Sequence, residues 1–151
     1  NIDYIFFASS SGGTQAGLIL GKELYDLSSE LIAISIDKDV TDGLFTEEVV
    51  LNIVKEGSHL LNIDKEFTLS KIQLNRDYNK SGYAILTKEE AKAIKELART
   101  EGIILDPVYT GRAFHGMLDF LKKGKIPKSS NVLFWHTGGL PAIFNYGNEL
   151  T

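Results

Sequence analysis

The chain contains no cysteine, which removes disulfide frameworks, thiolate zinc sites and cysteine nucleophiles from consideration. The absence fits a cytoplasmic protein, and no metal site is expected. A basic surplus is also missing: 16 Lys and Arg stand against 20 Asp and Glu, for a formal charge of -4 and a pI near 5.4. Neutralising nucleic-acid phosphates needs Lys and Arg gathered on one face. No such stripe is visible, so no nucleic-acid partner is expected. No apolar run approaches the roughly 20 residues that span a bilayer, so no membrane partner is expected either. Neither an initiator Met nor a charged leader precedes the first apolar run. The expectation is therefore a part of a longer protein.

What is present is ordinary globular composition, 43% hydrophobic and 24% charged over 151 residues, enough for a single domain with its own core. Tyr4, Ile5, Phe6, Phe7 and Ala8 form a short apolar run ended by serines and glycines, the pattern of a strand buried on both faces. A helix over 14–26 follows, carrying Leu18, Leu20, Leu24 and Tyr25, and then a second buried strand over 31–36. A further helix is predicted to begin at Thr41. Asp42, Glu47 and Glu48 would favour its positive end, Val49, Val50, Ile53 and Val54 would form its apolar face, and it should fray near Gly57.

The pattern weakens over 62–82, where a strand over 68–74 and a turn-rich loop over 75–82 are predicted. Thr87 followed by Glu90 is a capping box, which starts a helix running through Ala91, Ile94, Leu97 and Ala98 to Gly102. The run Ile103, Ile104, Leu105 reads as a strand ending at Asp106 and Pro107. A helix over 112–123 stopped at Gly124 and a last buried strand over 131–135 complete the chain. Apolar strands alternating with amphipathic helices predict an α/β fold: a mostly parallel sheet in three layers, with helices on both faces. Ligands in such folds sit beyond the carboxyl ends of the strands. The loops to inspect are therefore 9–13, 37–42, 106–111 and 136–139.

The first of these carries the most chemistry. In the stretch from Ser9 through Ser11, Gly12, Gly13 and Thr14 to Gly17, two glycines let the backbone turn tightly and present several amides to one point. Hydroxyls and a helix start add donors and positive potential. The pattern favours an anion site over a turn that only packs helix on sheet. A P-loop is excluded, because no Gly-Lys-Ser or Gly-Lys-Thr follows. A dinucleotide site stays open as the alternative: the glycine spacing is wrong, but Asp37 stands where a ribose-binding acid would. Tyr109, beside a strand end, could exchange a proton or simply pack its ring. His115 and Asp119 are spaced as a helix-surface pair.

Five segments taken together resemble the family of 1-aminocyclopropane-1-carboxylate deaminases and D-cysteine desulfhydrases. They are Ser11, Gly12, Gly13, Thr14, Gln15, Ala16, Gly17; then Gly82, Tyr83; then Asp106, Pro107, Val108, Tyr109, Thr110, Gly111; then His115, Gly116, Met117; then His136, Thr137, Gly138, Gly139, Leu140, Pro141, Ala142. The resemblance spans nearly the whole chain. It implies a fold like the large domain of the tryptophan synthase beta subunit and a pyridoxal phosphate cofactor.

By this resemblance Ser11, Gly12, Gly13 and Thr14 would hold the cofactor phosphate, and Thr137 would hydrogen-bond the pyridine nitrogen. Tyr83 and Tyr109 would be the two active-site tyrosines. Thr110 and Thr137 stand where the deaminases carry Glu and Leu, which points to the desulfhydrases. The implied reaction is elimination on D-cysteine or a similar small amino acid, giving pyruvate, ammonia and sulfide. A homodimer is implied for the complete enzyme. No lysine here matches the one that bonds the cofactor aldehyde; Lys22, Lys38, Lys122 and Lys123 read as surface charges. The chain is accordingly expected to be the C-terminal, cofactor-cradling part of a larger enzyme whose lysine lies in an N-terminal part.

Overall fold

The computed structural model describes residues 1–37, 40–41 and 44–150. Strand β1 (Tyr4–Ser9) lies between β2 (Glu30–Ser35) and β5 (Val132–Phe134), parallel to both, in the order β2-β1-β5. Phe6 is opposite Ile32 on one side and Phe134 on the other. Alternation along β1 assigns the two faces. Ile5 and Phe7 point to the side of helix α1 (Gly13–Leu24), where Ala33 and Leu18 join them. On the opposite face Phe6 packs with Ala93 and Ile94 of α3 (Lys88–Glu101) and with Ala113, Phe114 and Met117 of α4 (Thr110–Lys122). The result is the expected α/β fold, a parallel sheet flanked by helices.

Helix α2 (Thr46–Leu60) packs on α1 through Val50, Val54, Ala16 and Leu20. It starts at Thr46, not Thr41. Val40 and Thr41 form strand β3, which pairs antiparallel with β4 (Leu44–Phe45). The helix begins where the Glu48 carboxylate accepts the Phe45 amide at 2.8 Å. Asp42 and Lys38 lie outside the described residues. Gly57 does not fray α2. A Cβ there would stand 2.5 Å from Leu20 Cδ1, so the glycine serves the close approach of α1 and α2 rather than a helix end.

The predicted strand over 68–74 is not formed. A 3₁₀ turn (Leu69–Lys71) occupies it, and only Asn75 bridges to Ile34, its amide donating to the Ala33 carbonyl at 2.8 Å. Nor do residues 103–105 form a strand; Ile103 and Ile104 are exposed and only Leu105 is buried. Strand β5 is half-buried rather than fully buried, and Trp135 beyond it is exposed. The 3₁₀ segment Leu140–Tyr146 and the short α5 (Gly147–Leu150) follow. Helix α3 has the predicted box: the Thr87 hydroxyl accepts the Glu90 amide at 3.2 Å, and Glu90 accepts the Thr87 amide at 2.7 Å. Gly102, at φ 69°, ends it. No helix among the described residues is long and apolar enough to cross a membrane.

Arg76 grips Glu47 with a two-pronged pair, 2.6 Å on each prong, and this holds the Glu47 carboxyl below its ordinary value of 4.5. A depressed folded-state pKa means that the pair's stabilisation is present above the unfolded value and is lost as pH falls through the folded one. Glu47→Gln should therefore flatten the acid limb of a stability profile from about pH 5 downward, measured by urea unfolding across pH. An unchanged limb would show that the pair contributes nothing.

Candidate functional site

Three of the inspected loops meet at the carboxyl ends of β1 and β5. Ser9, Ser10, Ser11, Gly12, Thr14 and Gln15 line a cavity of about 220 Å³ together with Ala8, Tyr109 and Thr137. Gly12 precedes α1 in the left-handed region, at φ 85°, and a Cβ on it would meet Val50 Cγ2 at 2.9 Å. Glycine is required there on both counts. The first helical hydrogen bond runs from the Ala16 amide to the Gly12 carbonyl at 2.9 Å, which leaves the amides of Gly13, Thr14 and Gln15 ahead of it without intrahelical partners. The exposed Ser11 and Thr14 side chains have no hydrogen-bond partner among the described residues.

Two neighbouring side chains brace this turn instead of lining it with free donors. Buried Gln15 accepts from the Ser9 hydroxyl at 2.7 Å and donates to the Gln73 carbonyl at 2.7 Å. Ser10 donates to Asp37 at 2.5 Å, so the acid considered for a ribose is tied to the turn. Around the cavity, free amides, unengaged hydroxyls and a helix start are a donor set suited to a phosphate group.

Tyr109 closes the cavity from the start of α4, and its position is set by Asp106. The fully buried Asp106 carboxylate accepts the amides of Val108 at 2.8 Å, Tyr109 at 2.7 Å and Thr110 at 2.7 Å, and also the Thr110 hydroxyl at 2.6 Å. This cap starts the helix at Thr110, ahead of the predicted Arg112. The Thr110 hydroxyl is spent on Asp106, and Thr110 is not among the residues that line the cavity. On its other side Asp106 touches the 136–139 loop: a Cβ on Gly139 would stand 2.7 Å from Asp106 Cγ. The Gly138 amide donates to His136 Nδ1 at 3.2 Å, tightening the turn that presents the exposed Thr137.

The Tyr83 and Tyr109 hydroxyls stand 2.5 Å apart, with ring centroids 6.0 Å apart at 70°. The two tyrosines singled out in the sequence are thus brought together. Their hydrogen bond, followed by burial and the nearby Asp106 and Asp37, pushes the Tyr109 phenol up to about 12. Tyr109 therefore holds its proton well above neutral pH. Tyr83→Phe should let Tyr109 ionise closer to the ordinary value of about 10, followed through the Cζ resonance of ¹³C-labelled tyrosine. An unmoved midpoint would show that the pair is not formed in solution.

His115 makes no hydrogen bond to Asp119 and acts on its carboxyl only through charge. It packs edge-on against Tyr78, centroids 5.5 Å apart, while Asp119 accepts the Tyr78 hydroxyl at 2.7 Å and pairs with Lys123 at 2.6 Å. Lys123 first and Tyr78 second hold the Asp119 carboxyl low, and burial together with Asp119 holds the Tyr78 phenol high. Among the described residues no lysine lines the cavity and no cluster of side chains could hold a metal ion.

A family model described as pyridoxal-phosphate dependent enzyme matches residues 1–138. The chain belongs to this pyridoxal-phosphate dependent enzyme family. It is 41% identical over 149 residues to a protein of Pyrococcus abyssi (strain GE5 / Orsay) provisionally named 1-aminocyclopropane-1-carboxylate deaminase, covering 99% of this chain and 43% of the relative. A solved structure described as an ACC deaminase homologue superposes with a TM-score of 0.84 at 36% identity, again over 99% of this chain and 43% of that one. The chain thus spans less than half the length of these relatives. Pyridoxal phosphate is the cofactor of the family, and the donor set at the head of α1 fits its phosphate.

What sequence reasoning missed at this candidate site is the bracing. Asp106 and Thr110 are spaced as a helix cap, a signal that was available. The Gln15 bond to the Gln73 carbonyl joins residues 58 apart in sequence and left no local trace.

Proposed function

We propose that this chain forms the phosphate-holding and ring-facing part of a pyridoxal-phosphate dependent lyase of the D-cysteine desulfhydrase kind. The observation that carries the reading is the convergence of the Ser9 to Gln15 turn, Tyr109 and Thr137 on one cavity. The amides at the head of α1, with the Ser11 and Thr14 hydroxyls, would bind the phosphate. Thr137 would offer a neutral hydroxyl to the pyridine nitrogen. When bound, the cofactor supplies an electron sink for the carbon that loses its proton. Tyr109, protonated at neutral pH, would hold a proton at its phenol oxygen beside the substrate, and Tyr83 would orient it. The substrate would be a small amino acid with a leaving group on its β-carbon. D-cysteine and water would give pyruvate, ammonia and sulfide.

The lysine that bonds the cofactor would come from outside this chain, where the resemblance puts it; among the described residues no lysine lines the cavity. Thr14→Ala should weaken pyridoxal-phosphate binding in the complete enzyme by roughly 10-fold, the loss of one hydrogen bond to a charged group, read by equilibrium titration of cofactor absorbance. Sulfide release from D-cysteine is the matching activity assay. Ammonia release from 1-aminocyclopropane-1-carboxylate without sulfide release from D-cysteine would transfer the assignment to the deaminases. Tight NAD binding with indifference to pyridoxal phosphate would overturn it altogether.

A further inference from the structure

The loop that carries Tyr83 contains no regular secondary structure, yet it holds an unusual course. Gly82 has φ 94° and Ala84 φ 58°, the latter a conformation that residues with a Cβ rarely adopt. Something must hold it. The Arg112 guanidinium lies beneath the loop and is 1% exposed. Its Nη2 donates to the Ser81 hydroxyl at 2.9 Å and to the carbonyls of Gly82 at 3.0 Å and Ile85 at 2.9 Å, acceptors that bracket Tyr83 in the chain. From the other side the Tyr146 hydroxyl donates to the Ala84 carbonyl at 2.7 Å.

Arg112 is anchored in turn. Its Nε donates to Glu90 at 2.6 Å and its Nη1 donates to the Ile36 carbonyl at the end of β2. Burial of a guanidinium is costly unless its donors are met, and here every nitrogen of the fork is engaged. Lysine could not replace this geometry, because an ammonium is a point donor without the planar fork. Arg112 also belongs to the first turn of α4, the helix whose start presents Tyr109. One helix turn therefore delivers one tyrosine directly and holds the other through its loop.

We propose that Arg112 is a positioning residue, which clamps the 81–85 loop so that the Tyr83 hydroxyl stays against Tyr109 at the mouth of the cofactor cavity. Its effect on turnover rests on the reading of the two tyrosines as substrate-facing; the clamp itself does not.

The test uses Arg112→Lys and, because a changed buried cation can prevent folding, the double variant Glu90→Leu with Arg112→Met, which removes the guanidinium together with its buried counter-ion. The first readout is the Tyr109 Cζ resonance in the protein without added cofactor, titrated between about pH 9 and 11, where a free tyrosine ionises. The expected result is that either altered protein titrates like Tyr83→Phe. The second readout is steady-state turnover of the complete enzyme with cofactor. A roughly ten- to hundredfold fall in kcat with little change in KM is expected from misplacement of the pair, and no further fall when Tyr83→Phe is added. Wild-type titration of Tyr109 in a folded variant of either kind would overturn the clamp, as would effects of Arg112→Lys and Tyr83→Phe that multiply. A shifted titration with unchanged kcat would uphold the clamp and remove the tyrosines from the reaction.

Discussion

Asp106→Ala is expected to destabilise the protein by about 3–5 kcal/mol, with the charge-assisted hydrogen bonds setting the scale. The carboxylate is fully buried and accepts three backbone amides and one hydroxyl. Its removal leaves those donors with no acceptor and opens a gap against Gly139, whose missing Cβ gives Asp106 its room. Individual bonds to a charged acceptor contribute about 1.5–3 kcal/mol, but bonds to one acceptor are not additive. The expected total is therefore below their sum. In a chain of this size the melting temperature should fall by roughly 10 °C or more, read by circular dichroism.

A second consequence separates Asp106 from an ordinary core residue. The loop ending in Gly139 and the turn presenting Tyr109 both rest on this carboxylate, so Tyr109 and Thr137 lose a common support. Asp106→Asn keeps one accepting oxygen and puts an amide donor where the other stood. It should fall between wild type and Asp106→Ala in stability. A melting temperature for Asp106→Ala within a degree or two of wild type would show that the cap is dispensable.

These contacts also explain which parts of the molecule the amino-acid order disclosed. Local signals were readable. The Thr87 and Glu90 box, the left-handed Gly102 and the glycine turn before α1 each depend on residues within a helical turn or two of one another. Buried apolar runs at 4–8 and 31–36 identified β1 and β2 because both faces of a covered parallel strand are apolar. The start of α2 was misread for a physical reason. Glu47 and Glu48 do lie in the first turn of α2, as expected, but Val40 and Thr41 pair with Leu44 and Phe45 as the short β3–β4 ribbon, so the helix starts only after it. The segment 68–74 carries the composition of a strand without a neighbour to pair along its length, so only Asn75 bridges the sheet.

The site divides in the same way. Ser11, Gly12, Gly13 and Thr14 were legible because an anion turn is contiguous. Tyr109 could be noted from its place beside a strand end and Thr137 through the resemblance, but their convergence on the turn is made by the sheet. Arg112 left no signal at all. A lone Arg in an amphipathic helix ordinarily faces solvent, and only the fold reveals acceptors gathered from Ile36, Ser81, Gly82, Ile85 and Glu90 around it.

That gathering makes Glu90 the second position of large expected effect. One of its oxygens accepts Arg112 Nε at 2.6 Å, and the other completes the capping box on Thr87 at 2.7 Å. Each side chain of the pair is 1% exposed. Glu90→Gln offers a single accepting oxygen to two donors, so its amide nitrogen must face either Arg112 or the Thr87 amide, donor against donor. The guanidinium also keeps its charge in a buried setting with no counter-ion. Breaking one side of such a pair costs about 3–5 kcal/mol, whereas replacing both partners by apolar groups of similar size is often far milder. Denaturant unfolding should therefore find Glu90→Gln severely destabilised and Glu90→Leu with Arg112→Met closer to wild type. The double variant has no guanidinium to hold the 81–85 loop, so recovered stability should not bring back the Tyr109 titration. Recovery of both together would mean that the loop holds Tyr83 unaided; recovery of neither would mean that the pair is needed for packing as well as for charge.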